Sequence, residues 1–382
     1  MTSTVDFDLQ GWVAIRLLDA GPGDVAVVSR QLGLPRTRLQ GDPDITLRFV
    51  DRLEESSRLH FLGIDDAAYT QDAFYVLRSL HKSRVKVQVP FHQIGEQLEI
   101  VCERGLPAVP LLIPILNLTA LKRGLLPLHA SAFNYQGQGL VALGWAKGGK
   151  TETLLAFMLQ GAEYVGDEWV YFTCDGGQMF GIPEPIRLWD WHLADLPQLR
   201  GRISRSEKAK LVAIKTLVKT LEAAGKGAGG APARLSRRVV KLLERQMYVH
   251  ATPQRLFGEP ACSLQGSPER FFFVASHDSP GTVIEPVDPL QIARRMVFSL
   301  EEERQELISY YLKFRFAFPH LRNDLIESSQ HLLLQTLEQV LGGKQAFAVY
   351  HPYPVHIPAL FDAILPVLQS TSPEPGGIKC LQ

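Results

Sequence analysis

GLVALGWAKGGKTETLLAFMLQG, residues 139–161, places an apolar run, a glycine-rich turn and a helical repeat end to end. Five residues, GLVAL, suit a buried strand. Gly144 to Thr151 then fit G-x-x-x-x-G-K-[ST], and ETLLAFMLQ carries apolar side chains at helical spacing up to Gly161. Strand, glycine loop and helix in that order are the context in which this pattern becomes a phosphate cradle. Successive backbone N–H groups and the start of the helix point at anionic oxygens. Gly144, Trp145, Ala146, Lys147, Gly148, Gly149, Lys150, Thr151 and Glu152 are therefore the expected nucleotide-binding residues. Lys150 is expected to reach the outer phosphates, and the Thr151 hydroxyl to serve Mg²⁺.

Downstream, AEYVGDEWVYF reads as a strand, EYVG, ending in two adjacent acids, Asp167 and Glu168. Seventeen residues after the loop lysine, such a pair can hold a metal and take a proton from a hydroxyl or orient water. Upstream, His129 in PLHASAF lies fifteen residues before Gly144. Taken alone it is more readily a hydrogen-bonded core histidine than a catalyst.

The segment LHASAFNYQGQGLVALGWAKGGKTETLLAFMLQGAEYVGDEW resembles the catalytic core of HPr kinase/phosphorylase. The interval from His129 to Gly144, the Lys150-Thr151-Glu152 helix start, Gly161 and the Asp167-Glu168 pair all fall at that family's spacing. The close likeness covers about 45 residues and continues more weakly through PEPIRLWDW and DPLQIARRMVFSL. It is nearest the shorter, divergent relatives that keep the phosphate-loop core, itself related to phosphoenolpyruvate carboxykinase, and replace the N-terminal domain. Some of these act on peptides. The resemblance implies an ATP- and Mg²⁺-dependent kinase in which Lys150 binds phosphate and Thr151 and Glu168 serve the metal. It implies Asp167 as general base, with a share in the metal site, and His129 beside the reacting phosphoryl group. Glu184 and Arg187 are further candidates for a metal or phosphate contact.

Three departures qualify the likeness. Lys147 stands where the family loop has its second glycine, so it must accept a positive φ, or the loop bends one residue later. Glu168 replaces a second aspartate. The C-terminal segment that engages the HPr carrier is not found, which argues against HPr as substrate. The acceptor is then a hydroxyl on another peptide, protein or small molecule, a Ser or Thr peptide being preferred. Two alternatives stay open: a nucleotide-binding assembly component without turnover, and the reverse, phosphorylase-type reaction. A homo-oligomer is also open, because the inserted helices described next can block or replace the family's hexamer contacts.

Around this core the chain reads as α/β (α+β), with a β-rich N-terminal region, residues 1–125, as accessory or substrate reader. The catalytic region spans 126–382 and is interrupted by a basic helical hairpin at about 202–250. DITLRFV (44–50), HFLGI (60–64) and RVKVQVPF (84–91) have strand character, and AYTQDAFYVLRSL fits either a strand or a helix. Residues 205–245 hold eleven Lys and Arg against three Glu, a surplus of eight in a chain whose 40 basic and 40 acidic residues otherwise balance. That surplus suits a solvated face or a docking surface for an acidic partner. No aromatic residues interleave to stack on bases, so nucleic acid is not expected.

LPAVPLLIPILNLTAL (106–121) is interrupted by prolines and shorter than the ~20 residues a spanning helix needs. It reads as a buried segment ending in a short helix closed by Lys122-Arg123-Gly124, so no membrane is expected. The acidic start MTSTVDFDLQ lacks the pattern of a secretory leader. Four scattered cysteines without C-x-x-C spacing fit neither zinc nor a disulfide framework. A cytoplasmic setting is expected, a long helix is read from about Pro289 to Leu312, and the tail TSPEPGGIKCLQ is read as mobile.

Overall fold

The computed structural model describes residues 4–34, 39, 41–63, 65–80, 83–226 and 231–369. The expected mobile tail and Cys380 lie outside them. The chain is a mixed α/β protein built on two large sheets. Among the described residues no helix is long and apolar enough to cross a membrane.

The first sheet has eight strands in the spatial order Val5–Leu9, Val13–Leu18, Ile45–Val50, Leu98–Glu103, Ser83–Gln88, Phe74–Leu80, Ala67–Tyr69, His60–Leu62. The ambiguous stretch AYTQDAFYVLRSL is strand, not helix, because its aromatic and β-branched residues alternate into the core: Phe74 and Val76 are buried among the same cluster as Val87. A helix, Pro22–Leu32, connects the parallel second and third strands and is not apparent from the sequence pattern. The helix Leu112–Lys122 does form where the proline-rich apolar run predicts. Ile115, Leu116 and Leu118 share one core with Ile15 and Leu47 of the first sheet and with Tyr171 and Phe180 of the second. The Tyr171 hydroxyl donates to Asn117 across that junction at 2.7 Å.

The second sheet carries the loop. Its central order is Trp169–Thr173, Leu125–Tyr135, Gln138–Leu143, Pro268–His277, Gln345–Pro352. The last three strands are mutually parallel. Helices cover both faces. Leu126, Leu128, Ala130 and Ala132 pack with Met296, Leu300, Leu333 and Leu337 from the helices Pro289–Glu303 and Asp324–Leu341. On the other face Phe133 stacks at 4.8 Å on Phe157 of the loop helix Lys150–Met158, beside Phe361 of Ile357–Gln369. Each such buried aromatic contributes about 1.5–3 kcal/mol by area alone.

The expected single helix from Pro289 is two, Pro289–Glu303 and Gln305–Ala317, which join at Arg304. The basic insertion is an antiparallel pair, Arg205–Lys226 and Ala231–Glu244, held by buried Leu211, Val218 and Val240. It grows from the two-stranded ribbon Ile186–Trp189 and Tyr248–Ala251, and a 2.7 Å ion pair, Lys215–Asp190, ties it down.

Candidate functional site

The glycine-rich loop runs from the end of strand Gln138–Leu143 to the start of helix Lys150–Met158. Gly144 and Gly149 are the most tightly confined of the loop's glycines. A Cβ on Gly144 would stand 2.4 Å from the Val274 carbonyl oxygen, and one on Gly149 would stand 2.3 Å from His351 Nε2. His351 is buried, with Nε2 2.9 Å from the Gly148 carbonyl oxygen, so it braces the loop from the far parallel strand. Nothing in the local sequence signals this partner two hundred residues away.

Of the two ways the loop could accommodate Lys147, the structure takes the first: Lys147 adopts φ +64°. The bend stays where the glycine-rich pattern puts it, and the exposed lysine carries the left-handed geometry, at about 1–2 kcal/mol relative to glycine's freedom. Lys150 is buried and its ammonium donates to the carbonyl oxygens of Gly144 and Trp145 at 3.2 and 3.1 Å. Burial lowers its pKa. Trp145 is half exposed beside it. Glu152 is turned away, its carboxylate 3.0 Å from buried His192 Nε2, so its side chain ties the loop helix to Asp190–Asp195.

The long strand Leu125–Tyr135 organises the acids. It pairs first with Trp169–Thr173, His129 opposite Trp169, and then with Glu163–Gly166, Ala132 opposite Gly166. Asp167 and Glu168 fill the interruption between these partners, and Glu168 takes φ +72° to do so. Two of the strand's side chains, His129 and Ser131, meet the two acids. Ser131 donates to Asp167 Oδ1, and His129 Nε2 lies 2.9 Å from Glu168 Oε2. The Thr151 hydroxyl faces both Asp167 oxygens, at 3.2 and 3.1 Å. Lys150, Thr151, Asp167, Glu168 and His129, predicted from sequence, therefore converge.

Glu303, absent from the sequence reading, completes the group, with its Oε1 2.7 Å from His129 Nδ1. A signal was present: Glu301, Glu302 and Glu303 end their helix, where negative charge opposes the helix dipole. Ser131 was equally legible, two residues from His129 on the same strand.

Environment separates the carboxyls. Burial, reinforced by Glu168, raises Asp167 to about 7. Glu184, in the turn before Ile186–Trp189, is raised by burial and by both acids to about 8, and its Oε2 is buried without a hydrogen-bond partner. Glu168 is held below the ordinary carboxylate range, chiefly by its hydrogen bond with His129. Burial opposes charge on His129, but Glu168 and Glu303 outweigh it and raise its pKa. Arg187 lies outside this inner group. It is exposed, its guanidinium carbon 4.9 Å from the centre of the Tyr248 ring. Its charge still helps lower Glu168.

Among the described residues no three His, Cys, Asp or Glu side chains converge to bind a metal by themselves. Mg²⁺ would keep waters and take one or two carboxylates together with substrate phosphates. Thr151 and Asp167 offer hard oxygens of that kind, and the raised Asp167 carboxyl is one that a cation would return to its charged form. A cavity of about 520 Å³ lined by Met158, Gly161, Arg202 and Phe257 contains none of these groups. No family model matches this chain, and neither does any curated protein.

Proposed function

We propose that the protein is an ATP- and Mg²⁺-dependent kinase, of the HPr kinase-like kind, that transfers the γ-phosphoryl group to a hydroxyl of a peptide, protein or small molecule. One observation carries the reading. Around the buried loop lysine, which donates to two loop carbonyls, the loop threonine reaches the first of two adjacent acids at 3.1 Å and a histidine reaches the second at 2.9 Å. Their types and spacing also match the resemblance drawn above.

In this reading loop amides and Lys150 bind the phosphates, and most of the catalysis is positioning and charge neutralisation. Thr151 and Asp167 would hold Mg²⁺, which when bound supplies charge neutralisation at the phosphates. The contacts favour an exchange of the roles the resemblance implies for the acids. Asp167 touches Thr151 and is buried, which suits the metal side. Glu168 is half exposed and ionised, which suits the carboxylate that aligns the acceptor hydroxyl and takes its proton. His129, held between Glu168 and Glu303, places positive charge next to that carboxylate.

The test is transfer from labelled Mg-ATP to a panel of Ser- and Thr-containing peptides and candidate partner proteins, followed by mass, with Lys150→Ala as control. Glu168→Gln is expected to abolish transfer and keep Mg-ATP binding, while Asp167→Asn is expected to weaken the Mg²⁺ dependence of binding. The reverse pattern would restore Asp167 as the base. ATP bound but never transferred, by any acceptor, would leave a nucleotide-dependent binding component instead.

A further inference from the structure

The ribbon that follows Glu184 also carries a cation, Arg187, that the proposed chemistry does not use, and a second cation from the inserted helix meets it there. Arg187 on Ile186–Trp189 stands directly opposite His250 on Tyr248–Ala251. Tyr248, on the same ribbon strand as His250, receives the Arg187 guanidinium at 4.9 Å and the Lys210 ammonium at 5.3 Å from its ring centre. His250 lies edge-on to the same ring at 5.2 Å. Arg187, Lys210 and His250 are all exposed. Among the described residues neither Arg187 nor Lys210 has an ion-pair partner. Glu207, on the same helix as Lys210, accepts from Ser204 at 2.6 Å.

A ring face orders a cation without neutralising it. Two cations gathered on one tyrosine, neither in an ion pair among the described residues, therefore present a fixed positive surface. The surface is also next to the chemistry. Arg187 follows Glu184 by three residues, and the charges of Arg187 and Glu168 act on one another. The ionised Glu168 would repel an anionic acceptor, and a cation at its edge offsets that repulsion. Lys210 comes from the helix Arg205–Lys226, so the insertion supplies part of the surface, while its Lys215–Asp190 ion pair anchors it there.

We infer that Arg187, Lys210, Tyr248 and His250 form the acceptor-reading surface, and that the acceptor is an acidic peptide whose carboxylates lie beside the reacting hydroxyl. This rests on the kinase reading of the neighbouring site. The inserted hairpin then has a defined role, which is to let an acid-lined site accept an acidic chain.

The test uses the full chain and a fluorescein-labelled peptide with one Ser flanked by Glu residues, beside its Gln counterpart, with binding followed by anisotropy in low salt without nucleotide. The Glu peptide is expected to bind about tenfold more tightly, with an advantage that falls as salt is raised. Lys210→Glu should erase most of that advantage. Lys219→Glu, an exposed lysine further along the same helix, changes net charge equally and should shift affinity less than about twofold. Equal affinity for the two peptides, or equal losses from the two reversals, would overturn the inference. So would binding of inorganic phosphate that Lys210→Glu abolishes, with no acidic-peptide binding at all, which would assign the surface to a small phosphorylated acceptor. Loss of acidic-peptide selectivity in a protein that still binds Mg-ATP defeats this inference alone. Retained selectivity in a protein that never binds Mg-ATP defeats the kinase reading alone.

Discussion

Both halves of the molecule bury charge, and they treat it differently. In the first sheet Glu103 is buried, yet each oxygen has a backbone donor, Leu53 N at 2.9 Å and Lys86 N at 2.8 Å. Lys86 in turn reaches Glu55 at 2.7 Å and the Leu53 carbonyl at 3.0 Å. Arg104 likewise joins Asp24 and Asp51. In the second sheet Asp167 is raised to about 7, and Glu184, raised to about 8, has an oxygen with no partner. Burial matched by donors serves the fold, whereas clustered acids whose pKa values are raised, one of them with an oxygen left unpartnered, mark a place where the fold is held at a disadvantage.

The strongest way to break this comparison is on activity. If the second-sheet cluster is a catalytic site, Glu168→Gln should reduce phosphoryl transfer by about 10²–10⁴-fold. Glu103→Gln, in the first sheet, should leave transfer by the folded protein within about threefold of the original, since it is remote from the loop. Single-turnover assays with matched protein concentrations measure both. A comparable fall in the two variants would remove the distinction between the halves.

The loop offers the next largest effect. Gly149→Ala would drive a Cβ to 2.3 Å from His351 Nε2 at a residue whose φ is +107°. Strain and clash together are expected to lower stability by about 2–4 kcal/mol, read by urea denaturation. A paired change, Gly149→Ala with His351→Ala, should recover part of that loss. No recovery would show that His351 is not the brace.

Much of this loop and its acids was legible because the chemistry is local. Lys150, Thr151, Asp167 and Glu168 lie within one strand–loop–helix–strand passage, where spacing dictates proximity. His351 and the Arg187–Lys210 pairing on Tyr248 were not legible, since each meets its partner across the fold, and Glu303, though marked by the acids that end its helix, gave no sign of the histidine it would meet. The same rule holds for secondary structure. The helix Leu112–Lys122 was readable from an apolar run despite its prolines. Phe74–Leu80 was not, because its pattern fits both periods and only cross-strand pairing decides it.

A smaller effect separates the halves by pH. Asp167 and Glu184 have folded pKa values above those of the unfolded chain, so between about pH 4 and pH 8 the folded state holds more protons and stability falls as pH rises. Glu184→Gln removes one of these liabilities. It should stabilise the protein by on the order of 1–3 kcal/mol at pH 8 and by little at pH 4. Glu103→Gln should do the opposite at both, because it leaves buried donors short of an acceptor. Denaturation midpoints at the two pH values check this, and a stabilisation by Glu184→Gln that is no larger at pH 8 than at pH 4 would mean Glu184 is not held neutral.

The smallest effect concerns Lys147. Its φ of +64° is a local strain that glycine would relieve, and its exposed side chain has no ion-pair partner among the described residues. Lys147→Gly is therefore expected to raise stability by about 0.5–1 kcal/mol, the relief being partly offset by the freer unfolded chain. A lysine kept at such a position should act on bound phosphate. Mg-ATP affinity, followed through the fluorescence of nearby Trp145, is then expected to fall about threefold to tenfold in the same variant. Stability and affinity moving in opposite directions would set Lys147 with the strained, unpaired groups of the second sheet. Unchanged affinity would class it as an accident of sequence in an otherwise ordinary loop.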